Sequence, residues 1–377
     1  MNRSTLGNNG CEKAVEIMEE FGCRTRILAG DGALEGLKTF KARRLFLVTD
    51  PYFMKNGWAQ KIPELAGAEE TEIFDAVVPD PSVTLAAEGA GRMKAFGPDL
   101  VVALGGGSAM DCAKAMRYFS GCECPLAAVP TSSGSGSEVT DFAILTHEGV
   151  KHPLVDEKLT PQMAILEERL LESLPRNLIA DSGFDVLAHA LEAVAARNGS
   201  AFSGCLAREA LRLGIQNLSR SWQGDLGARL PMHQAATMAG IAFSQAGLGL
   251  CHALAHALGG AFHVPHGRLN AILLPSVMRI NAQVCPERYA RAARDAGISA
   301  ASDTMALRQL LNLLSRLRRE LELPQNLAQA GVDLRALRER EAAVVAAALA
   351  DPCCATNPVP VTEAVVRRVL RETAGNG

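Results

Sequence analysis

The chain has 377 residues, 48% of them hydrophobic, which suffices for two domains with cores of their own. Its 38 Lys and Arg stand against 41 Asp and Glu, and the formal charge of −3 excludes a general affinity for nucleic acid or anionic membrane. No apolar run is long enough to span a bilayer, and the start Met1-Asn-Arg-Ser-Thr-Leu-Gly7 leads into no secretory segment, so a cytoplasmic protein is expected.

Residues 1–20 read as an N-terminal extension. Asn8-Asn9-Gly10 breaks structure, and Cys11–Phe21 then places Ala14, Ile17, Met18 and Phe21 on one side of a short helix. Two uses fit that helix: ordinary packing on its own domain or a partner subunit, or service as a targeting segment.

Residues 21–177 alternate short apolar strands with helical segments. Strands are predicted at Thr25–Ala29, Leu45–Thr49, Glu72–Ala76, Leu100–Leu104, Leu126–Val129 and Met163–Leu166, with helices such as Leu85–Phe96 and Ala109–Phe119 between them. That alternation predicts an α/β domain with a largely parallel sheet, which binds ligands at the carboxyl ends of its strands. Near Leu174-Pro175-Arg176-Asn177 the character changes. Leu178–Ala196, Cys205–Leu218, Arg229–Gln245, His266–Asn281 and Thr304–Leu321 are Ala- and Leu-rich amphipathic segments, so residues 178–377 are expected to form an all-α domain. The ten cysteines contain no Cys-x-x-Cys pair, and Cys353 and Cys354 are adjacent. Reduced thiols are the simpler reading, and Cys122 and Cys124 are read as ordinary packing or surface thiols, with redox activity as the alternative.

Three turns in the first domain suit a dinucleotide. The strand Leu100–Leu104 runs into Gly105-Gly106-Gly107-Ser108, where backbone N–H groups can approach a phosphate and Ser108 is placed to cap the next helix. The loop Thr131-Ser132-Ser133-Gly134-Ser135-Gly136-Ser137-Glu138-Val139-Thr140 follows the next strand; a flexible surface loop is its ordinary alternative. Asp50 ends Leu45–Thr49, where an acid accepts hydrogen bonds from an adenosine ribose and repels a 2′-phosphate, or caps a helix beginning at Pro51.

The second domain carries the strongest signal. Asp185 and His189 are spaced i, i+4, as are His252 and His256, with His263 and His266 just beyond. Each pair lies on one helix face, and acid and imidazole without thiolate suit Fe(II), Zn(II), Mn(II) or Co(II). His147, His152 and His233 lie apart and are read as ordinary.

These motifs resemble those of the iron-containing (group III) alcohol dehydrogenases. Gly-Gly-Gly-Ser-x-x-Asp, Pro-Thr-x-x-Gly-x-Gly-Ser-Glu-Val-Thr, Gly-x-Asp-x-Leu-x-His-Ala-x-Glu and His-x(3)-His-x(9)-His-Gly occur in that order, and the match runs from about Phe21 to the C-terminus. Within the family, Ala242–Leu250 and Gly105–Lys114 look most like the 1-propanol dehydrogenases of bacterial microcompartments. The resemblance implies the architecture shared with dehydroquinate synthase, NAD(H), and Fe(II) with Zn(II) as the alternative. It implies Asp185, His189, His252 and His266 as metal ligands, and His256 as a proton-handling catalytic residue. Asp50, Gly106, Gly107, Ser108, Thr131, Ser132 and Lys151 would contact the cofactor, and His263 is not carried over as a ligand.

The implied reaction interconverts short aldehydes and primary alcohols, propanal with 1-propanol or acetaldehyde with ethanol, and recycles NADH to NAD in a microcompartment. Apolar lining by Phe184, Val186, Leu250, Leu254, Phe262 and Val264, with Arg268 the one strong cation nearby, fits a small substrate. Implied partners are further copies of the chain and a microcompartment shell or co-encapsulated enzymes. Two alternatives are a NAD-using non-redox metal lyase of the same architecture and an inactive assembly protein. The chain departs from the family pattern at Asp80, where many relatives have asparagine, at Ser132-Ser133, and at His256-Ala257, where His-Pro is common.

Overall fold

A computed structural model describes residues 21–148 and 150–375. The expected helix within residues 1–20 therefore lies outside the described residues. Phe21, the first one described, stacks on Phe202 with ring centroids 5.3 Å apart.

The N-terminal part is built on β1 (Arg26–Ala29), β2 (Arg44–Thr49), β3 (Glu70–Phe74), β4 (Leu100–Gly105), β5 (Leu126–Pro130) and β8 (Met163–Leu166). These six form one sheet in the order β1-β8-β5-β4-β2-β3. Every pairing in it is parallel. Helices α1 (Pro51–Lys55), α2 (Trp58–Ala66), α3 (Val83–Phe96) and α4 (Gly107–Ser120) cover it. Alternate residues of β2 and β4 serve opposite faces: Leu45, Leu47, Leu100 and Val102 enter one core, and Phe46, Val48, Val101 and Ala103 the other. From β2 the chain adds β3 outward, then returns to place β4 on the other side of β2. The carboxyl ends of β2 and β4 therefore flank the switch point where such sheets bind ligands.

Two expectations need correction here. The edge strand β3 lies two residues earlier than Glu72–Ala76, since its half-exposed pattern gives apolar periodicity little to mark. An antiparallel hairpin, β6 (Phe142–His147) with β7 (Val150–Val155), was not anticipated. Its outer strand carries Lys151, His152 and Pro153, and exposed or half-exposed residues occupy its whole length.

The remainder is helical: α5 (Arg176–Ala195), α6 (Ala201–Gln223), α7 (Arg229–Ala246), α8 (Leu250–Phe262), α9 (His266–Asn281), α10 (Pro286–Asp295), α11 (Asp303–Glu320), α12 (Leu334–Ala350) and α13 (Glu363–Ala374). α5 is buried on nearly every side, its apolar residues packing all round and its Asp181, Asp185, His189 and Glu192 buried with them. α6, α7 and α9 pack around it. No single helix among the described residues is long and apolar enough to cross a membrane.

Candidate active site

The glycine turn lies at the switch point. Thr49 pairs with Leu104, so Asp50 and Gly105 are adjacent strand ends. Gly105 has φ of 154°, and a Cβ there would stand 2.6 Å from the Ala109 Cβ and 3.6 Å from Asp50 Oδ2. Asp50 caps α1, its Oδ1 accepting from Tyr52 N at 2.8 Å and Phe53 N at 3.3 Å, which leaves Oδ2 toward the turn. Ser108 is not a helix cap. α4 begins at Gly107 with Gly106 in the capping position, so the first turn offers backbone N–H groups without a competing side chain.

The loop after β5 is held in place rather than flexible. Buried Lys114 donates to Ser137 Oγ, Thr140 O, Thr140 Oγ1 and Phe142 O at 2.8–3.0 Å. Asp111, also on α4, accepts from Ser137 Oγ at 2.6 Å and Ile144 N at 3.1 Å. His233, read from sequence as ordinary, ties the loop to α7. Its Nε2 donates to Pro130 O at 3.1 Å, so Nδ1 accepts from Ser133 Oγ at 3.0 Å. The loop thus presents Thr131 and Ser132 beside Gly106, with Ser132 Oγ 3.3 Å from where a Gly106 Cβ would lie. Lys151, on the hairpin, pairs with Asp80 Oδ1 at 2.6 Å.

The four residues expected as metal ligands come from three helices. Asp185 and His189 share one face of α5, His252 lies in the first turn of α8, and His266 opens α9. His263 makes the last arrangement possible: at φ of 55° it ends α8 in a left-handed turn, and the chain re-enters a helix at His266. Gly267 lets α9 approach α5, because a Cβ there would lie 2.0 Å from Asp181 O. His252 Nε2 and His266 Nε2 stand 3.6 and 3.5 Å from Asp185 Oδ1. Ligand atoms about 2.0–2.2 Å from one tetrahedral ion have separations of that order. Those three residues hold donor atoms within 4.8 Å of one another. His189 Nδ1 is 4.0 Å from Asp185 Oδ2. That Nδ1 is buried with no hydrogen-bond partner among the described residues, an orphan that a cation would satisfy.

Protonation agrees with that donor set. Burial holds His189 down at about 3 and His266 well below its usual range, so both are neutral. For Asp185, burial opposes ionisation, but the facing His189, His266 and His252 outweigh it and hold the carboxyl well below the usual 3.8. For His252, burial is outweighed by hydrogen bonds and charge from Asp185 and Glu192, which raise it to about 9. Ligation by its Nε2 therefore displaces a proton.

Glu192, Asn270, Asp351 and Phe243, not singled out from the sequence, complete the site around His252, His256 and His266. Glu192 Oε2 accepts from His252 Nδ1 at 2.6 Å and Gly249 N at 3.0 Å, while Oε1 accepts from Cys251 N at 2.7 Å. One carboxylate thus caps α8 and holds the Nδ1 proton of His252, so that loss of the other proton would leave the Nε2 lone pair facing the cluster. Asn270 Nδ2 lies 2.7 Å from Asp185 Oδ1 and 3.1 Å from both His252 Nε2 and His266 Nε2. His256 stacks on His266 with centroids 5.0 Å apart, and its Nδ1 donates to Asp351 Oδ2 at 2.8 Å. Phe243 stacks on His189 at 4.4 Å. Sequence spacing marks two of these, since Glu192 is i+3 from His189 and Asn270 is i+4 from His266; Asp351 has no such mark.

The expected apolar lining is corrected in part. Phe184, Val186, Leu250 and Leu254 are 0% exposed and belong to the helical core rather than to a substrate wall. Arg268 is held by Asp181, to which its Nε and Nη2 donate at 3.1 and 2.9 Å. The nine described cysteines are all free, and Cys122 Sγ lies 2.9 Å from Cys124 Sγ.

Comparison with known proteins agrees with this architecture. The iron-containing alcohol dehydrogenase model matches residues 24–168, and the C-terminal model of the Fe-containing alcohol dehydrogenase family matches residues 179–374. The chain is 40% identical to the 1-propanol dehydrogenase PduQ of Salmonella typhimurium, over 94% of this chain and 100% of that protein. It is 34% identical to the NADPH-dependent butanol dehydrogenase of Clostridium saccharobutylicum, over 94% of this chain and 97% of that one. The iron-containing alcohol dehydrogenase structure from Thermococcus thioreducens superposes with a TM-score of 0.87 at 32% identity, covering 94% of this chain and 99% of that one. With both halves of the chain matched, and 40% identity to a 1-propanol dehydrogenase over nearly its whole length, this oxidoreductase belongs to the iron-containing alcohol dehydrogenase family.

Proposed function

We propose that the protein is a metal-dependent, NAD(H)-linked dehydrogenase that interconverts short aldehydes and primary alcohols, with propanal and 1-propanol as the preferred pair. The observation that carries this reading is the buried donor set of Asp185, His252 and His266 with the orphaned Nδ1 of His189 beside it. In this reading residues 21–177 bind the dinucleotide and residues 178–377 supply the metal and catalytic groups. Residues 1–20 serve as a targeting segment for a microcompartment, where the enzyme returns NADH to NAD beside shell and enzyme partners as a homo-oligomer. The similarity to the 1-propanol dehydrogenase PduQ supports the choice of propanal and 1-propanol.

When bound, Fe(II), or Zn(II) in its place, supplies Lewis-acid polarisation of an oxygen, and the nicotinamide supplies or accepts hydride. Asp185, His189, His252 and His266 would hold the ion. Glu192 keeps His252 in the ligating tautomer, and Asn270 steadies the Asp185 carboxylate. Gly106, Gly107 and Ser108 would receive the pyrophosphate at the start of α4, with Thr131 and Ser132 toward the nicotinamide half and Lys151 near the cofactor. Asp50 Oδ2 would meet the adenine ribose and disfavour a 2′-phosphate. Asp351 accepts a hydrogen bond from His256 Nδ1, which keeps that proton in place and leaves Nε2 to exchange a proton with the product oxygen. Phe243 and Phe142, ring centroids 6.1 Å apart, back this cluster with apolar surface.

A lyase acting on a phosphorylated carboxylate needs several uncommitted cations. Here Arg268 is engaged by Asp181 and Lys151 by Asp80, which favours a small uncharged substrate. The test is a substrate profile of the purified holoenzyme with NADH across straight-chain aldehydes and carboxylated aldehydes. Highest kcat/KM for two- to four-carbon aldehydes supports the assignment, and preference for a carboxylated substrate contradicts it.

A further inference from the structure

A polar cluster that the dehydrogenase reaction does not use lies between the Ser133 loop and helices α5, α6 and α7. Arg229 opens α7 and is only 5% exposed, yet its Nε and Nη1 have no hydrogen-bond partner among the described residues. Burial alone acts on its titration, lowering it, and no carboxylate charge opposes that effect. A guanidinium remains protonated in a protein, so its buried Nε and Nη1 edge carries positive charge with no counter-charge among the described residues, an arrangement proteins avoid.

Beside it is a small cavity of about 10 Å³ where Ser133, Ser182, Ser221 and Arg229 meet the apolar Leu174, Ile179 and Met232, with no acidic residue in the wall among the described residues. That space suits one occupant of about the size of a water molecule. The Ser133 hydroxyl proton is committed to His233 Nδ1, which leaves Ser182, Ser221 and Arg229 as donors.

We propose that this cavity binds a single monatomic anion, chloride in solution, held by Arg229 Nε and Nη1 and by the Ser182 and Ser221 hydroxyls. A water molecule fills the same space but leaves the guanidinium charge uncompensated, and a sulfate or phosphate is too large for it. The walls come from the loop after β5, from α5 three residues before Asp185, and from the facing ends of α6 and α7. The ion would therefore tie the nucleotide loop to the helix that carries Asp185 and His189 while touching none of the site residues.

Two measurements on the full-length holoenzyme test this. Crystals soaked in bromide and measured at the bromine absorption edge should show an anomalous peak within hydrogen-bonding reach of Arg229 Nε and Nη1. Thermal unfolding at constant ionic strength, with chloride replacing gluconate, should raise the midpoint by roughly 1–2 °C per tenfold chloride once above its dissociation constant. Arg229→Met and Ser221→Ala should reduce that rise. Density without anomalous signal, or an equal chloride response in the parent and in Ser221→Ala and Arg229→Met, overturns the proposal. Should Arg229→Met fail to fold, the diffraction result and Ser221→Ala decide.

Discussion

His252 Nδ1 lies 2.6 Å from Glu192 Oε2, and the two side chains are 1% and 2% exposed. Glu192 also accepts from the backbone at the start of α8, so it joins the fold of that helix to the orientation of its first histidine. Glu192→Gln keeps the shape, removes the charge and turns an NH2 group toward N–H donors. Metal affinity should fall by about 10–100-fold, read by competition with a chelator. Asn357→Ala is the control, because Asn357 Oδ1 accepts from Leu250 N at 3.1 Å without contacting His252. An equal loss in both variants would reduce Glu192 to a helix cap.

His256 and Asp351 should behave as one unit. His256→Ala should lower kcat by about 10²–10⁴-fold with metal content unchanged. Asp351→Asn should lower kcat less, and the double variant should be no slower than His256→Ala, because Asp351 acts through the imidazole. Parallel loss of metal and activity in His256→Ala would make His256 a ligand instead.

Asp50 has two separable roles. Serine caps helices nearly as well as aspartate, so Asp50→Ser should keep α1 and cost under about 1 kcal/mol of stability. Without the carboxylate, the ratio of kcat/KM for NADPH to that for NADH should rise by about tenfold or more. An unchanged ratio would confine Asp50 to capping.

Glu167 gives a pH signature away from the active site. Although burial opposes its ionisation, hydrogen bonds from Arg169 and from Leu34 N hold the carboxyl below its ordinary 4.5. A depressed folded pKa contributes stability that is present above the unfolded pKa and lost as pH falls through the folded one. Glu167→Gln should therefore destabilise the protein at pH 7, by about 1 kcal/mol given the partly exposed Arg169. That difference should shrink below pH 4.5, and a difference that does not change with pH would assign the effect to packing.

Much of this was legible in the sequence, for reasons particular residues make plain. Buried strands such as Leu100–Gly105 are continuous apolar runs ending in glycine, and the spacing of Asp185 and His189 puts both on one face of α5. The hairpin β6–β7 escaped because its outward residues break the alternation that marks a half-buried strand. Asp351 escaped for a different reason: it meets His256 from 95 residues away, a contact only the packing of α12 beside α8 creates. Ser108 was misplaced because the glycines before it can themselves begin a helix.

Aldehyde reduction should require one metal ion held by Asp185, His189, His252 and His266. Purified protein should be stripped of metal, then reconstituted anaerobically with Fe(II) or Zn(II), and NADH oxidation followed with and without propanal. We predict aldehyde-dependent oxidation restored by Fe(II) at one ion per chain, and lost again in Asp185→Ala. Full activity in the stripped protein, or none after reconstitution with either metal while NAD(H) and metal are both bound, would contradict it.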